Sequence, residues 1–282
     1  MKLFKSYTSK IILANIVIFL LFAIASAFFS QEKLFELFAL QPSKIIHGER
    51  LWTLITSIFL HANLFHLFVN MFSLYFAGKR LFSFGLFKSG GLEDIIGRKR
   101  FLIFYLTAGV FASILYSLLS GFLGYGYFGE NIFGNPNIFG VGASGAIFGF
   151  LGLLAVLMPM KSVFLIAGPL IAIIFEAVFS KFVPIQLGAV LSLLISAYIF
   201  FSIFAIFIQK FSKWAVPLKL SFWSLPIVAI IPLILIDLIP GVDLPIGNMA
   251  HLGGLIAGLA YGFYLKKRYP NKTKILSQVF SE

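Results

Sequence analysis

Long apolar runs alternate with short polar gaps along this chain. A helix that crosses a bilayer needs about 20 mainly apolar residues. Eight runs approach that length: Ile11–Phe29, Ala62–Phe82, Phe101–Gly121, Ser144–Leu157, Val163–Ser180, Ile185–Ile208, Phe222–Ile239 and Gly247–Leu265. The fourth and fifth are short and lie close together. Between the first two, Gln31–Leu60 is a longer mixed segment, in which Leu34-Phe35-Glu36-Leu37-Phe38 has the pattern of a helix lying in the membrane interface. Phe84–Arg100 reads as a polar loop broken by Gly90-Gly91. Phe122–Val141, rich in Gly, Phe and Asn and lacking Lys and Arg, reads as another loop. Neither a repeat nor a low-complexity linker interrupts the pattern. It predicts one all-α polytopic membrane domain over residues 1–282.

Composition agrees. The chain is 60% hydrophobic and 11% charged, against about 45–50% apolar and about 25% charged in soluble domains. Such an excess cannot fit inside one soluble core, so much of it must face lipid. The absence of cysteine removes disulfide and thiolate chemistry. A net charge of +12 would raise nucleic acid as a partner of a soluble protein. Here the basic residues sit in the gaps between apolar runs and no nucleic-acid-binding motif is present, so anionic lipid headgroups at the inner face are the expected partner.

The same residues set direction, because cytoplasmic loops are enriched in Lys and Arg. With the N-terminus inside, the outer segments hold only Lys33, Lys44, Arg50 and Lys181, and the rest of the 22 basic residues lie on the inner side. This predicts eight spans in the cell membrane with both termini cytoplasmic. Lys2, Lys5 and Lys10, an apolar run and Ala25-Ser26-Ala27 also resemble a signal peptide. The run is long for one, so a retained span is expected, and the later topology is the same either way.

Polar groups inside spans are costly and mark candidate function. His66 and Asn70, four apart on one helix face, open the second span, and His61 stands just before it. Taken alone, these could be ordinary interhelical hydrogen-bonding residues. Ser144 opens the fourth span within Gly142-Ala143-Ser144-Gly145. Flanking glycines let the backbone approach closely and leave helix N-terminal amides free for an oxyanion. The last span opens with Asn248-Met249-Ala250-His251-Leu252-Gly253-Gly254. Gly254, Gly258 and Gly262 recur every four residues, as do Gly145 and Gly149. Small residues at that spacing allow close helix contact, so the two glycine faces should pack and bring Ser144 to His251. A base beside a serine is the minimum needed to activate its hydroxyl. Glu176 and Asp237 lie near the outer ends of their runs and are expected to reach the interface and hydrate, with Asp237 as an orienting acid for His251 the less favoured option. His47 is assigned no role.

Three motifs in this order, His61-x4-His66-x3-Asn70-Met71, Gly142-Ala143-Ser144-Gly145 and Ala250-His251-Leu252-Gly253-Gly254, resemble the rhomboid family of intramembrane serine proteases. The resemblance covers residues 11–157 and 222–268. It implies a six-helix core around a water-filled cavity open to the outer face, and a substrate that is a transmembrane protein entering laterally. It implies Ser144 and His251 as a catalytic dyad, with the Ser144 amide, His66 and Asn70 as the oxyanion site. His61, Gly142, Phe148 and Asn248 become supporting residues. No cofactor or metal is implied. Three departures stand out. Four apolar runs follow the serine helix where the family has two, so residues 163–208 read as an inserted helical hairpin. The family's Trp-Arg pair is replaced by Arg50-Leu51-Trp52, and Phe148 stands where many members carry Tyr.

Rival classes are weaker. A zinc protease would want His-Glu-x-x-His, which is absent. A catalytically silent protein that binds membrane clients would be expected to lose Ser144 or His251, and both are present. A transporter would show paired repeats, and none is seen.

Overall fold

The fold comes from a computed structural model that describes residues 6–80, 90–180, 182–205, 212–238 and 247–279. It is predominantly helical and forms two compact units, Met1–Leu157 with Gly247–Pro270, and Met158–Ile246 with Asn271–Glu282.

The first unit holds α1 (Tyr7–Ala25), α2 (Gln31–Phe38), α3 (Pro42–Ile46), α4 (Thr53–Thr56), α5 (Leu64–Tyr75), α6 (Leu92–Ile96), α7 (Arg98–Leu123), α8 (Gly126–Phe133) and α9 (Ser144–Leu157). It is completed by the penultimate helix of the chain, Asn248–Arg268. The second unit holds β1 (Ser162–Ile166), α10 (Ala167–Phe179), α11 (Ile185–Ala205), β2 (Pro217–Ser221) and α12 (Leu225–Asp237). The penultimate helix is α13, and α14 (Pro270–Val279) follows it. Compactness thus puts α12 with the second unit, although the family resemblance puts its run with the core.

Among the described residues, α1 and α7 are long and apolar enough to cross a membrane. A third candidate is a bent pair, Thr53–Phe59 and Leu64–Lys79, which meet at 91°. The expected spans over α9, α10, α11 and α12 appear as shorter apolar helices. Residues 81 and 82 of the second expected span, 206–208 of the sixth and 239 of the seventh lie outside the described residues, as do residues 84–89 of the polar loop and the side chain of Asp237.

One expectation is corrected outright: the chain is not purely α. Val163–Ile166, assigned to the fifth span, is strand β1 and pairs antiparallel with β2, Ser162 opposite Ser221 and Ile166 opposite Pro217. The stretch is rich in β-branched and aromatic residues, which suit a strand. Pro169 explains why helix begins only at Ala167, since proline is tolerated only in a helix's first turn. Both presumed loops also contain helix: α6 within Phe84–Arg100, and α8 within Phe122–Val141.

Two hydrogen-bonded joints organise the first unit. Glu93 is 3% exposed, and its carboxylate accepts from the Ser6 and Thr8 hydroxyls and the Tyr7 and Thr8 amides. A carboxylate from α6 therefore caps the positive N-terminus of α1. Burial opposes its charge, but the four donors outweigh that and hold the carboxyl below its ordinary range. Gly78, in the π-helical turn that ends α5, packs here because a Cβ would lie 2.5 Å from Thr8 Oγ1. The second joint is at α2. Its last three carbonyls, from Glu36, Leu37 and Phe38, accept from Arg50 Nη1 at 2.8 Å, Trp52 Nε1 at 2.7 Å and Thr56 Oγ1 at 2.7 Å. The altered order Arg50-Leu51-Trp52 thus satisfies groups that a helix end would otherwise leave unpaired.

Candidate active site

Glycine spacing positions the site. In lipid, helices associate through close packing and not through exclusion of water, and the α9–α13 contact is unusually close. A Cβ on Gly254 would sit 1.8 Å from the Gly145 carbonyl oxygen, and one on Gly258 2.0 Å from that of Gly149. One on Gly152 would meet the Leu255 carbonyl at 2.4 Å. Helix α7 closes the third side with alanines: a Cβ on Gly145 would lie 2.7 Å from Ala112, and one on Gly149 2.8 Å from Ala108. Below, Phe150 is fully buried and stacks on Phe101 with centroids 4.8 Å apart.

This packing brings Ser144 at the start of α9 to His251 in the first turn of α13. Their Oγ and Nε2 atoms are 2.9 Å apart. With the ring proton on Nδ1, the serine hydroxyl donates to Nε2. The ring is buried, and Phe148 stacks on it with centroids 4.1 Å apart and planes 5° from parallel. Phe148 therefore holds the imidazole in plane without a hydroxyl. Among the described residues, His251 Nδ1 meets no hydrogen-bond partner.

The stretch before Ser144 is held on both sides. Leu40 and Gly140 exchange backbone hydrogen bonds at 3.0 and 2.7 Å, and the Gly142 amide donates to the Ser57 carbonyl at 2.9 Å. Gly142 has φ of 124°, a conformation that disfavours any side chain. A Cβ there would also lie 2.8 Å from His66 Cε1, 2.9 Å from His66 Nε2 and 3.9 Å from Asn70 Nδ2. The Gly142 backbone thus packs directly against the His66 ring, with the Asn70 amide close by. Both come from α5, whose N-cap Asn63 accepts from the His66 amide at 2.8 Å. Asn70 Nδ2 donates to the His66 carbonyl at 2.9 Å.

The remaining expected residues lie nearby or apart as follows. His61 is buried with its ring in an edge-type contact with that of His66, centroids 5.1 Å apart, and neither of its ring nitrogens finds a partner among the described residues. Asn248 is buried at the start of α13. His47 is exposed, its Nδ1 2.6 Å from the Ser43 carbonyl. Glu176 is half-buried and accepts from Ser192 of α11, so a helix partner and not water alone receives it. Among the described residues no three His, Asp or Glu side chains are grouped to hold a metal ion. Sequence reading passed over Asn63, Ser57 and Glu93. Asn63 carried a readable signal, an N-cap residue three before His66, whereas Ser57 acts through its carbonyl and has no signature.

Fold and site together define a helical integral membrane protein whose serine and histidine meet between closely packed helices. Comparison with known proteins agrees. The Rhomboid domain family matches residues 48–215 and 162–268. RHOMBOID-like protein 6, mitochondrial, of Arabidopsis thaliana is 28% identical over 236 residues, 84% of this chain and 50% of that protein. Rhomboid protease GluP of Bacillus subtilis is 32% identical over 161 residues, 57% of this chain and 26% of GluP. RHOMBOID-like protein 1 of Arabidopsis thaliana is 36% identical over 114 residues, 40% of this chain and 23% of that protein. The chain spans half or less of the length of these curated relatives. It belongs to the rhomboid family.

Proposed function

We propose that this protein is an intramembrane serine endopeptidase that cleaves transmembrane segments of other membrane proteins. The observation that carries the reading is the 2.9 Å approach of Ser144 Oγ to His251 Nε2, with His66 and Asn70 gathered at Gly142, two residues before the serine. His251 takes the hydroxyl proton as Ser144 Oγ attacks the scissile carbonyl. The Ser144 amide, with the side chains of His66 and Asn70, receives the oxyanion, and removal of one such donor typically costs about 2.7–4 kcal/mol of transition-state stabilisation. His251 then gives the proton to the leaving amine, and water, with His251 again as base, releases the acyl group. His61, Gly142, Phe148 and Asn248 support the site. Backbone within a helix is hydrogen-bonded and shielded, so substrates should carry Gly, Pro or polar residues near the cut.

The topology proposed with this chemistry is eight spans with both termini cytoplasmic, in the cell membrane, with the α10–α11 hairpin as an insertion into a six-helix core. The test is cleavage of a reconstituted single-span reporter carrying a Gly-rich membrane segment. Wild-type protein should release two fragments and Ser144→Ala none. Equal cleavage by both, or binding of the reporter without cleavage by either, would overturn the reading, the latter in favour of a silent client-binding protein.

A further inference from the structure

The second unit contains a surface that the chemistry at Ser144 does not use. Helices α10 and α11 form a hairpin with apolar side chains turned outward, among them Phe175 at 45%, Leu193 at 70% and Leu194 at 63% exposure. Helices apolar on their outer faces belong in a core or in lipid. The hairpin is closed at one end by the β1–β2 ladder. The ladder runs past its ends: the Phe222 amide donates to the Lys161 carbonyl at 3.0 Å, Trp223 to Pro159 at 3.2 Å, and Ala167 to Val216 at 3.2 Å. Tyr198 of α11 donates its hydroxyl to the Trp214 carbonyl at 2.8 Å, fixing the turn before β2. The neck is therefore a braced platform and not a loose crossing.

The chemistry of this neck has two parts. Register pairs Leu165 with Leu218 and Val163 with Leu220, so four aliphatic residues share one face, of which Leu218 is 43% exposed. Trp214 and Trp223 flank it at 61% and 54% exposure. Lys213 and Lys219 are exposed, Lys219 on the face of the ladder opposite Leu218, and Lys161 precedes β1. The only acid between Met158 and Trp223 is Glu176, which lies well along α10 from the neck and is engaged by Ser192. Exposed tryptophans beside lysines, at the end of an apolar hairpin, are the composition of a membrane–water boundary. Charge selects the lipid: a lysine near an anionic surface is worth about fivefold in partitioning, and near a zwitterionic one much less.

We propose that the β1–β2 neck docks on the bilayer surface as a clasp for anionic phospholipids. Leu218, Trp214 and Trp223 insert at headgroup level, and Lys213 and Lys219, the latter from the other face of the two-stranded ladder, reach lipid phosphates with their long side chains. The clasp anchors the end of the hairpin, and it is separate from the proposed proteolysis.

The chain has no cysteine, so Leu218→Cys gives one attachment point for an environment-sensitive fluorophore in the full-length protein. The labelled protein would be reconstituted in vesicles of phosphatidylcholine alone and of phosphatidylcholine with phosphatidylglycerol, each with acyl chains brominated near the headgroup. Docking predicts blue-shifted emission and bromine quenching, both stronger with phosphatidylglycerol, and an anionic increment that falls as salt is added. Lys213→Gln with Lys219→Gln should lower the docking equilibrium in anionic vesicles by on the order of twentyfold. Water-like emission without quenching in both vesicle types would overturn the proposal, as would quenching indifferent to phosphatidylglycerol and salt. The vesicle and salt series need only the labelled chain, so they decide the matter even if the lysine variant fails to fold.

Discussion

Replacing Gly254 by alanine tests the helix contact on which the site depends. The new Cβ would stand 1.8 Å from the Gly145 carbonyl oxygen, 2.8 Å from its carbon and 3.1 Å from the Gly149 amide nitrogen. A comfortable carbon–oxygen contact is about 3.3–3.6 Å, so α13 and α9 must separate locally by about 1.5 Å or more. All three obstructing atoms are backbone, so no side-chain rotation relieves them. Ser144 precedes Gly145, and His251 lies three residues before Gly254. The displacement thus falls on the 2.9 Å gap between Oγ and Nε2. A misplacement of about 1 Å can cost about a hundredfold in rate, and overpacking typically costs about 1–3 kcal/mol in stability. The assay is cleavage of the reconstituted reporter beside thermal unfolding in detergent. Gly254→Ala should lose at least about a hundredfold in cleavage rate, while remaining folded. Gly188→Ala is the control, because a Cβ there meets nothing within 4 Å. Cleavage by Gly254→Ala near the wild-type rate would refute the close-packing argument.

Three other outcomes follow from the same structure. His251→Ala should abolish cleavage, whereas chelators should leave the wild-type protein active; loss of activity in chelator would point to a metal instead. Asn70→Ala should reduce cleavage by about a hundred- to a thousandfold with KM little changed, as steady-state kinetics would reveal. Glu93→Gln should lower thermal stability and flatten its dependence on acid. Because the folded-state pKa of Glu93 is depressed below its ordinary 4.5, its contribution is present above the unfolded-state value and is lost as pH falls through the folded-state one. Thermal melts of wild type and variant should therefore converge in acid and diverge toward neutral pH.

Much of this was legible in sequence because it was written in periodicity. Gly254, Gly258 and Gly262 against Gly145 and Gly149 announced the α9–α13 contact, since four-residue spacing puts small residues on one helix face. His66 and Asn70 were readable for the same reason. The neck of the second unit was not. Val163–Ile166 is apolar enough to pass for the start of a span, and its strand character depends on a partner, Pro217–Ser221, more than fifty residues away. Period alone does not separate a short apolar strand from a helix. Glu93 was likewise hidden: its four donors sit at the N-terminus of α1, and nothing local to Leu92–Ile96 announces them. Arg50 and Trp52 were noticed as a departure from the family pattern. Their role appeared only when the carbonyls at the end of α2 were seen to need donors.

The most direct test of the central claim is covalent. A fluorophosphonate should phosphonylate the purified protein once, with the adduct mapped by peptide mass spectrometry to Ser144, and His251→Ala should prevent the reaction without unfolding the protein. An unmodified chain, an adduct on a different serine, or undiminished labelling of His251→Ala would contradict a serine activated by that histidine.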